Sequence, residues 1–143
     1  MRYKLIFIFT CFYNLSYSCS CLPPGKIDEK QYNKYGLILK GKIKKVIQHE
    51  YETHIVIRVT TYYKGIQKKK TITIISPRGD GICGISPKPG EEWLMFARID
   101  NKIFRTSLCT RTKNMNPKAW NYRKAEISED IEFLESKHRI NGS

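Results

Sequence analysis

The sequence predicts a small, mainly β protein: a closed antiparallel barrel of five strands with short helices beside it. Five β-branched or aromatic segments follow one another between residues 37 and 109, and turn residues separate them. Most connections are too short to hold the crossover helices that parallel strands need. The chain of 143 residues suffices for one domain and leaves little room for a second core.

The predicted strands form two hairpins around one central strand. The polar tip "QHEYE" joins the first two strands, and "DNK" joins the last two. The central segment "KTITIIS" alternates with a period of two, as a half-buried strand does. Counted from the N-terminus, the five strands are predicted at 37–47, 53–63, 70–76, 92–99 and 103–109.

Helical patterns flank these strands. Residues 26–35 contain no Gly or Pro, and their spacing favours a short surface helix. Near the C-terminus, Asn116 is suited to cap a helix that has Pro117 at its first position. Another helix is predicted to begin at Ser128, so that a helical segment covers about 117–139.

Residues 1–18 have the pattern of a secretory signal peptide. Arg2 and Lys4 precede the apolar run "LIFIFTCFY", and small serines follow where a signal peptidase reads. The apolar run is well short of the ~20 residues that a spanning helix needs, and no later stretch reaches that length. We therefore expect a secreted, monomeric single domain over 19–143 without a transmembrane segment.

Four cysteines remain once residues 1–18 are removed: Cys19, Cys21, Cys83 and Cys109. An even number in an exported domain favours two disulfides. Four cysteines allow three pairings, and spacing alone does not choose among them. A bridge between Cys19 and Cys21 is the least favoured pairing because it would be strained.

Five short motifs occur in a specific order along the chain. They are Cys-x-Cys-x-Pro-Pro after the signal peptide, "YYKGIQ" (62–67), "ICG" (82–84), "EEWLMFARI" (91–99), and a cysteine after "RTSL". In order and separation they resemble the inhibitory N-terminal domain of the tissue inhibitors of metalloproteinases, a netrin-like module. The resemblance covers Cys19 to Trp120. The sequence lacks the cysteines for the third disulfide of the animal members, and it lacks their second, cysteine-rich domain.

The resemblance implies an OB-type barrel with the disulfides Cys19–Cys83 and Cys21–Cys109. It also implies inhibition of zinc metalloproteinases without a cofactor of the protein's own. The free α-amino nitrogen and carbonyl oxygen of Cys19 would chelate the zinc of the target enzyme, where a catalytic zinc keeps a position open for water. Ser20 would enter the specificity pocket beside the zinc. The implied inhibitory wedge comprises Cys19, Ser20, Cys21, Leu22, Pro23, Gly81, Ile82 and Cys83.

Cys19 also admits a second interpretation, as the acylated first residue of a bacterial lipoprotein. Ser18 is acceptable before such a cysteine, whereas Leu15 lies one place too early for the usual motif. Acylation of the α-amino group would abolish chelation, so lipid anchoring and this inhibitory mechanism exclude each other.

The basic excess favours a further alternative, an extracellular binding module for polyanions or a protein partner. The formal charge is +13, and it falls to +11 without Arg2 and Lys4. Such barrels often bind nucleic acid through cationic grooves and stacked aromatics, here Tyr62 and Tyr63. Export argues against intracellular nucleic acid and favours a sulfated polysaccharide or another polyanion. Equally, the lysines could simply solubilise strand edges and turns. They are Lys40, Lys42, Lys44, Lys45, Lys64, Lys68, Lys69 and Lys70.

We do not expect an enzyme. The segment "HEYETH" (49–54) is one residue too long for the zinc-protease motif HExxH. It lies at a predicted hairpin tip, where the i, i+4 geometry of a helix does not arise. His138 stands alone near a predicted helix end, where an exposed or dipole-stabilising role is expected.

Overall fold

The computed structural model describes residues 19–65 and 69–141. The predicted signal peptide and Lys68 therefore lie outside the described residues. The described elements, in chain order, are α1 (Glu29–Asn33), β1 (Leu37–Gln48), β2 (Glu52–Lys64), β3 (Thr71–Pro77), β4 (Glu92–Asp100), β5 (Ile103–Arg105), β6 (Lys113–Asn114) and α2 (Lys124–Asn141).

Five of these strands close into a barrel in the order β1-β2-β3-β5-β4, and β4 pairs back with β1. Four of the five contacts are antiparallel, whereas β3 and β5 pair in parallel where Ile75 meets Arg105. A ring with an odd number of strands cannot alternate in direction all the way round, so one parallel contact is unavoidable. The predicted fold, a mainly β OB-type barrel of five strands with short helices and two disulfides, is confirmed, except that the β3–β5 contact is parallel, whereas the sequence predicts an antiparallel barrel.

The first four strands begin and end within one residue of their predicted bounds. The fifth strand is shorter than predicted, because the chain leaves the sheet after Arg105. Beyond that point the Thr106 hydroxyl donates to the Phe96 carbonyl on β4 and lies within hydrogen-bond distance of the Thr110 hydroxyl. The hairpin turn before it places Asn101 and Lys102 at φ 47° and 65°, the left-handed region. The two-residue strand β6, which pairs with β4, has no counterpart in the sequence prediction.

Two apolar cores stabilise the molecule. The first fills the barrel interior with Leu37, Leu39, Ile43, Ile55, Ile57, Ile72, Ile74, Ile85, Trp93, Met95 and Ala97. The second lies outside the barrel wall, where both helices cover β1 and β4, and contains Ile27, Tyr32, Tyr35, Ile38, Tyr63, Leu94, Phe96 and Leu134. Residues 37–39 of β1 and 93–97 of β4 are buried on both faces of the wall, and these stretches are continuously apolar.

Both helices differ from their predicted bounds. α1 begins later than residue 26, because the Asp28 carboxylate caps it by accepting from the Gln31 amide at 2.7 Å. α2 begins at Lys124 rather than Ser128, which adds buried Ile127 to the apolar face of the helix. The helix predicted to begin at Pro117 is not formed. The segment after Asn116 makes successive turns instead, and the Asn116 side-chain oxygen accepts from the Lys118 amide at 3.0 Å. None of the described helices combines the length and the apolar composition needed to cross a membrane.

Candidate functional site

The N-terminal segment, residues 19–25, is attached to two different loops by disulfides. Cys19 is bonded to Cys83 on the loop after β3, with 5.3 Å between their Cα atoms. Cys21 is bonded to Cys109 on the loop between β5 and β6, with 5.1 Å between their Cα atoms. This is the pairing that the resemblance implies. The first three residues of the segment are thereby fixed at both ends.

The same segment is largely open to solvent. Leu22 is 92% exposed, and Ser20 and Pro23 are exposed as well. On the loop joined to Cys19, Gly81 is exposed and Ile82 is 47% exposed. Single exposed apolar side chains are common on protein surfaces, whereas neighbouring ones can form a contact surface. The predicted wedge residues therefore form a projecting, covalently braced edge.

Hydrogen bonds and close backbone packing hold the loop that carries Cys83 against its neighbours. The Ser76 hydroxyl, which is buried, accepts from the Ile85 amide at 2.9 Å. A Cβ atom on Gly84 would overlap the carbonyl oxygen of Pro77, so only glycine fits there. The Leu108 amide donates to the Cys83 carbonyl at 2.8 Å, which joins this loop to the one that carries Cys109.

A cluster of threonine hydroxyls anchors the Cys109 loop on β4. The Thr106 hydroxyl lies 2.9 Å from that of Thr110 and 2.7 Å from that of Thr112. Thr112 also accepts from the Phe96 amide at 2.9 Å, and Thr106 donates to the Phe96 carbonyl at 3.1 Å. Cys109 thus lies on a loop whose polar groups are bonded to the barrel wall.

Arg111, which the sequence did not single out, attaches the far end of the N-terminal segment. It is 3% exposed, and its Nη1 donates at 2.7 Å to the carbonyl oxygens of Pro24 and Gly25. The same nitrogen lies 2.7 Å from Oε1 of Gln31. Its Nε and Nη2 donate to the fully buried carboxylate of Asp130 on α2 at 2.9 and 2.7 Å. No spacing signal links these partners, since 86 residues separate Arg111 from Gly25.

The four cysteine sulfurs lie within 4.8 Å of one another. Among the described residues, no other group of three or more His, Cys, Asp or Glu donors lies close enough together to hold a metal ion. Both pairs are oxidised, and the thiolate that a metal requires is absent from a disulfide. In this state the cluster braces the wedge and has no free sulfur ligand.

The "HEYETH" segment lies at the tip of the β1–β2 hairpin. Its histidines, His49 and His54, have ring centroids 4.5 Å apart. Oε1 of Glu52 accepts from Arg105 at 2.8 Å, and this hydrogen bond is the main cause of its lowered pKa. His138 is exposed near the end of α2. Glu52 is thus hydrogen-bonded to the Arg105 guanidinium.

The predicted polyanion residues divide into two groups. Lys64 is a packing residue: its Nζ donates to the Tyr32 carbonyl at 2.8 Å, and burial lowers its pKa. Tyr63 is buried in the second core, outside the barrel wall, and is not accessible for stacking, whereas Tyr62 is half-buried against the barrel core. Lys40 is half-buried. The remaining described lysines of the set are exposed, and they are Lys42, Lys44, Lys45, Lys69 and Lys70.

The exposed lysines lie beside Arg58. Lys42 lies opposite Arg58 on β2 and opposite Glu92 on β4. A bulge between Ile43 and Lys45 leaves two consecutive lysines exposed. Within the described ranges none of these cations lies within 4 Å of a carboxylate oxygen.

No protein-family model matches this chain. A comparison with curated proteins also finds no match. The resemblance to the metalloproteinase inhibitors therefore rests on the motifs quoted above.

Proposed function

We propose that this protein is a secreted inhibitor of zinc metalloproteinases that acts through a mature N-terminal Cys19. One observation carries the proposal: Ser20, Leu22 and Pro23 are exposed to solvent, yet two disulfides fix this segment on separate loops. A structural staple does not require the cysteine to be the first residue, whereas metal chelation by the N-terminus does. Removal of the signal peptide at Ser18 would create this terminus.

The chemistry follows from the two donor atoms that Cys19 offers when it is the first residue. Its α-amino nitrogen and carbonyl oxygen can bind one metal ion together, forming a five-membered chelate ring. The α-amino group has an unperturbed pKa near ~8, so the neutral nitrogen is accessible around neutral pH. Both donors would occupy the position of the zinc-bound water, and the proteinase would lose its nucleophile.

The rest of the wedge supports a cleft-filling role. Ser20 follows the chelating residue and is exposed, so its side chain is available to a pocket beside the zinc. Leu22 offers an exposed apolar surface to the adjoining subsites. Because the disulfides restrict the segment before binding, little conformational entropy remains to be lost on association.

The test compares oxidised protein that begins at Cys19 with the same protein carrying one extra Ala before Cys19. We expect only the first form to inhibit a panel of zinc metalloproteinases, since the extra residue converts the amine into an amide. Equal thermal unfolding midpoints would show that the extension leaves the barrel intact. Inhibition by both forms, or by neither, would refute the mechanism. An acyl mass increment on Cys19 of the native protein would favour the lipoprotein alternative.

A second candidate function is binding of a polyanion, such as a sulfated polysaccharide, to the basic face of β1 and β2. The specific observation is that Lys42, Lys44, Lys45 and Arg58 are exposed and make no close ion pair among the described residues. Neighbouring cations repel each other, and a polyanion would relieve that repulsion.

Heparin chromatography tests this candidate. The double variant Lys42→Gln/Arg58→Gln should elute at lower salt than the parent, because two cations leave the face. A control with the same net charge, Lys102→Gln/Lys118→Gln, changes exposed lysines elsewhere and should elute close to the parent. Equal elution of the two double variants would indicate unspecific attraction. The extra N-terminal Ala should not change the elution.

A further inference from the structure

The disulfides hold residues 19–21, but the wedge continues beyond them. Within the described residues, the backbone of 19–25 takes part in hydrogen bonds only at Pro24 and Gly25, and both go to Nη1 of Arg111. Gly25 has φ 28°, a conformation that side chains disfavour. The direction in which the chain leaves the wedge is therefore set at this one guanidinium.

We infer that Arg111 is the positioning residue of the N-terminal wedge, and that α2, through Asp130, is part of the apparatus that presents it. The inference deepens the proposed function and rests on it for its effect on inhibition. Its structural content is independent: without Arg111 fixed by Asp130, residues 22–25 lose their direction while the barrel remains folded.

Arginine suits this position because its planar fork serves four partners at once. One edge, Nε and Nη2, faces Asp130, and Nη1 faces the two carbonyls and Gln31. Lysine carries the same charge, but its single ammonium cannot present this geometry. The backbone amide of Arg111 also donates to the Tyr35 hydroxyl at 3.2 Å, which fixes the start of the side chain.

Asp130 on α2 supplies the negative charge that stabilises the buried guanidinium of Arg111. Asp130 is fully buried, and its second oxygen accepts from Lys113 at 2.8 Å. A buried arginine without a carboxylate would pay a large desolvation cost and would turn towards water. Leu134 packs into the second apolar core, outside the barrel wall, and these contacts hold α2 in place. The helix thus reaches the wedge through Asp130 and Arg111, although the wedge lies at the other end of the chain.

The experiment uses the full mature protein, beginning at Cys19 with both disulfides formed. The variants are Arg111→Lys and Asp130→Asn, which keeps the shape of the side chain and removes its charge. Nitrogen-15 relaxation reports the order of the Leu22 and Gly25 amides in the free protein. We expect both amides to become mobile in either variant, and inhibition of a zinc metalloproteinase to weaken at least about tenfold, because an ordered wedge loses less entropy on binding.

Ile55→Val is the matched control, since it weakens the barrel interior and leaves α2, Asp130 and Arg111 unaltered. It should lower the unfolding midpoint and leave the order of the Leu22 and Gly25 amides unchanged. The inhibition constant should stay within about twofold of the parent value. The unaltered protein gives a further reading if the Arg111 variant fails to fold: its Arg111 guanidinium protons should exchange far more slowly than those of exposed Arg58.

Unchanged order of Leu22 and Gly25 in the folded variants would overturn the inference, as would fast exchange of the Arg111 guanidinium. If the parent inhibits no proteinase but the variants still release Leu22 and Gly25, the proposed function fails and the positioning role stands. If the parent inhibits and the variants lose affinity with the wedge still ordered, the positioning role fails and the proposed function stands.

Discussion

Cys109 and Arg111 lie two residues apart on the loop between β5 and β6, and they hold opposite ends of one exposed segment. Cys109 is bonded to Cys21, and Arg111 donates to the carbonyl of Gly25. Between these ends Leu22 is 92% exposed. A segment fixed at both ends and open in the middle can enter a cleft without being ordered first, which is the property that an inhibitory wedge requires.

Two leucine truncations should separate the fold from the wedge. Leu134 is fully buried between α2 and the barrel, so Leu134→Ala should lower the free energy of unfolding by about 2–5 kcal/mol. Leu22→Ala removes an exposed side chain and should change it by less than about 0.5 kcal/mol. Chemical denaturation measures both. A large loss of stability in Leu22→Ala would mean that this side chain packs against the protein.

Gly84→Ala should disturb the loop that carries Cys83. The added methyl group would collide with the Pro77 carbonyl, which belongs to β3 and cannot easily move. We expect a loss of about 2 kcal/mol or more in the free energy of unfolding. Gly90→Ala is the comparison, because a Cβ there meets no atom within 4 Å and only its φ of 91° is unfavourable. If Gly90→Ala costs more than Gly84→Ala, the collision is not the dominant effect.

The strands were predictable because their signals are local. Segments such as 53–63 combine β-branched residues with turn residues on both sides, and the structure extends that strand by only one residue at each end. The start of α2 was not predictable in the same way. Ser128 is a good N-cap, but burial of Ile127 favours an earlier start, and which residues meet the barrel is decided by tertiary packing.

The residues of the candidate site show the same difference between local signals and tertiary packing. Cysteines and exposed lysines can be found by residue type, whereas the importance of Arg111 depends on partners far away in the chain. Lys64 and Tyr63 illustrate the opposite error: their pattern favoured a binding surface, yet the structure uses both in packing against the helices. Residue type identifies candidates, and burial decides which of them remain accessible.

The Glu52–Arg105 contact should make stability depend on acidic pH. The hydrogen bond from Arg105 lowers the pKa of Glu52 below its usual 4.5, so the folded state favours the carboxylate. This contribution is present above the unfolded-state pKa and is lost as the pH falls through the folded-state pKa. The unfolding midpoints of parent and Glu52→Gln should differ at about pH 6 and converge towards about pH 3. A constant difference over this range would show that titration of Glu52 is not responsible.

The two disulfides should contribute similarly to stability, although they close loops of different length. They link residues separated by 64 and 88 positions, and loop-closure entropy grows only with the logarithm of length. Each double serine variant, Cys19→Ser/Cys83→Ser or Cys21→Ser/Cys109→Ser, should lose about 4 kcal/mol in the free energy of unfolding.

Non-reducing peptide mapping of the parent must first find the two cross-linked peptides with these pairings. In the Cys21→Ser/Cys109→Ser variant, Arg111 still holds Pro24 and Gly25, so nitrogen-15 relaxation should show an ordered Gly25 amide and a mobile Leu22 amide. The two variants should differ in stability by only about 0.3 kcal/mol if unfolded-chain entropy dominates. A difference several times larger, measured by chemical denaturation, would mean that one bridge acts mainly through contacts in the folded state, where the Cys109 loop is bonded to the barrel wall.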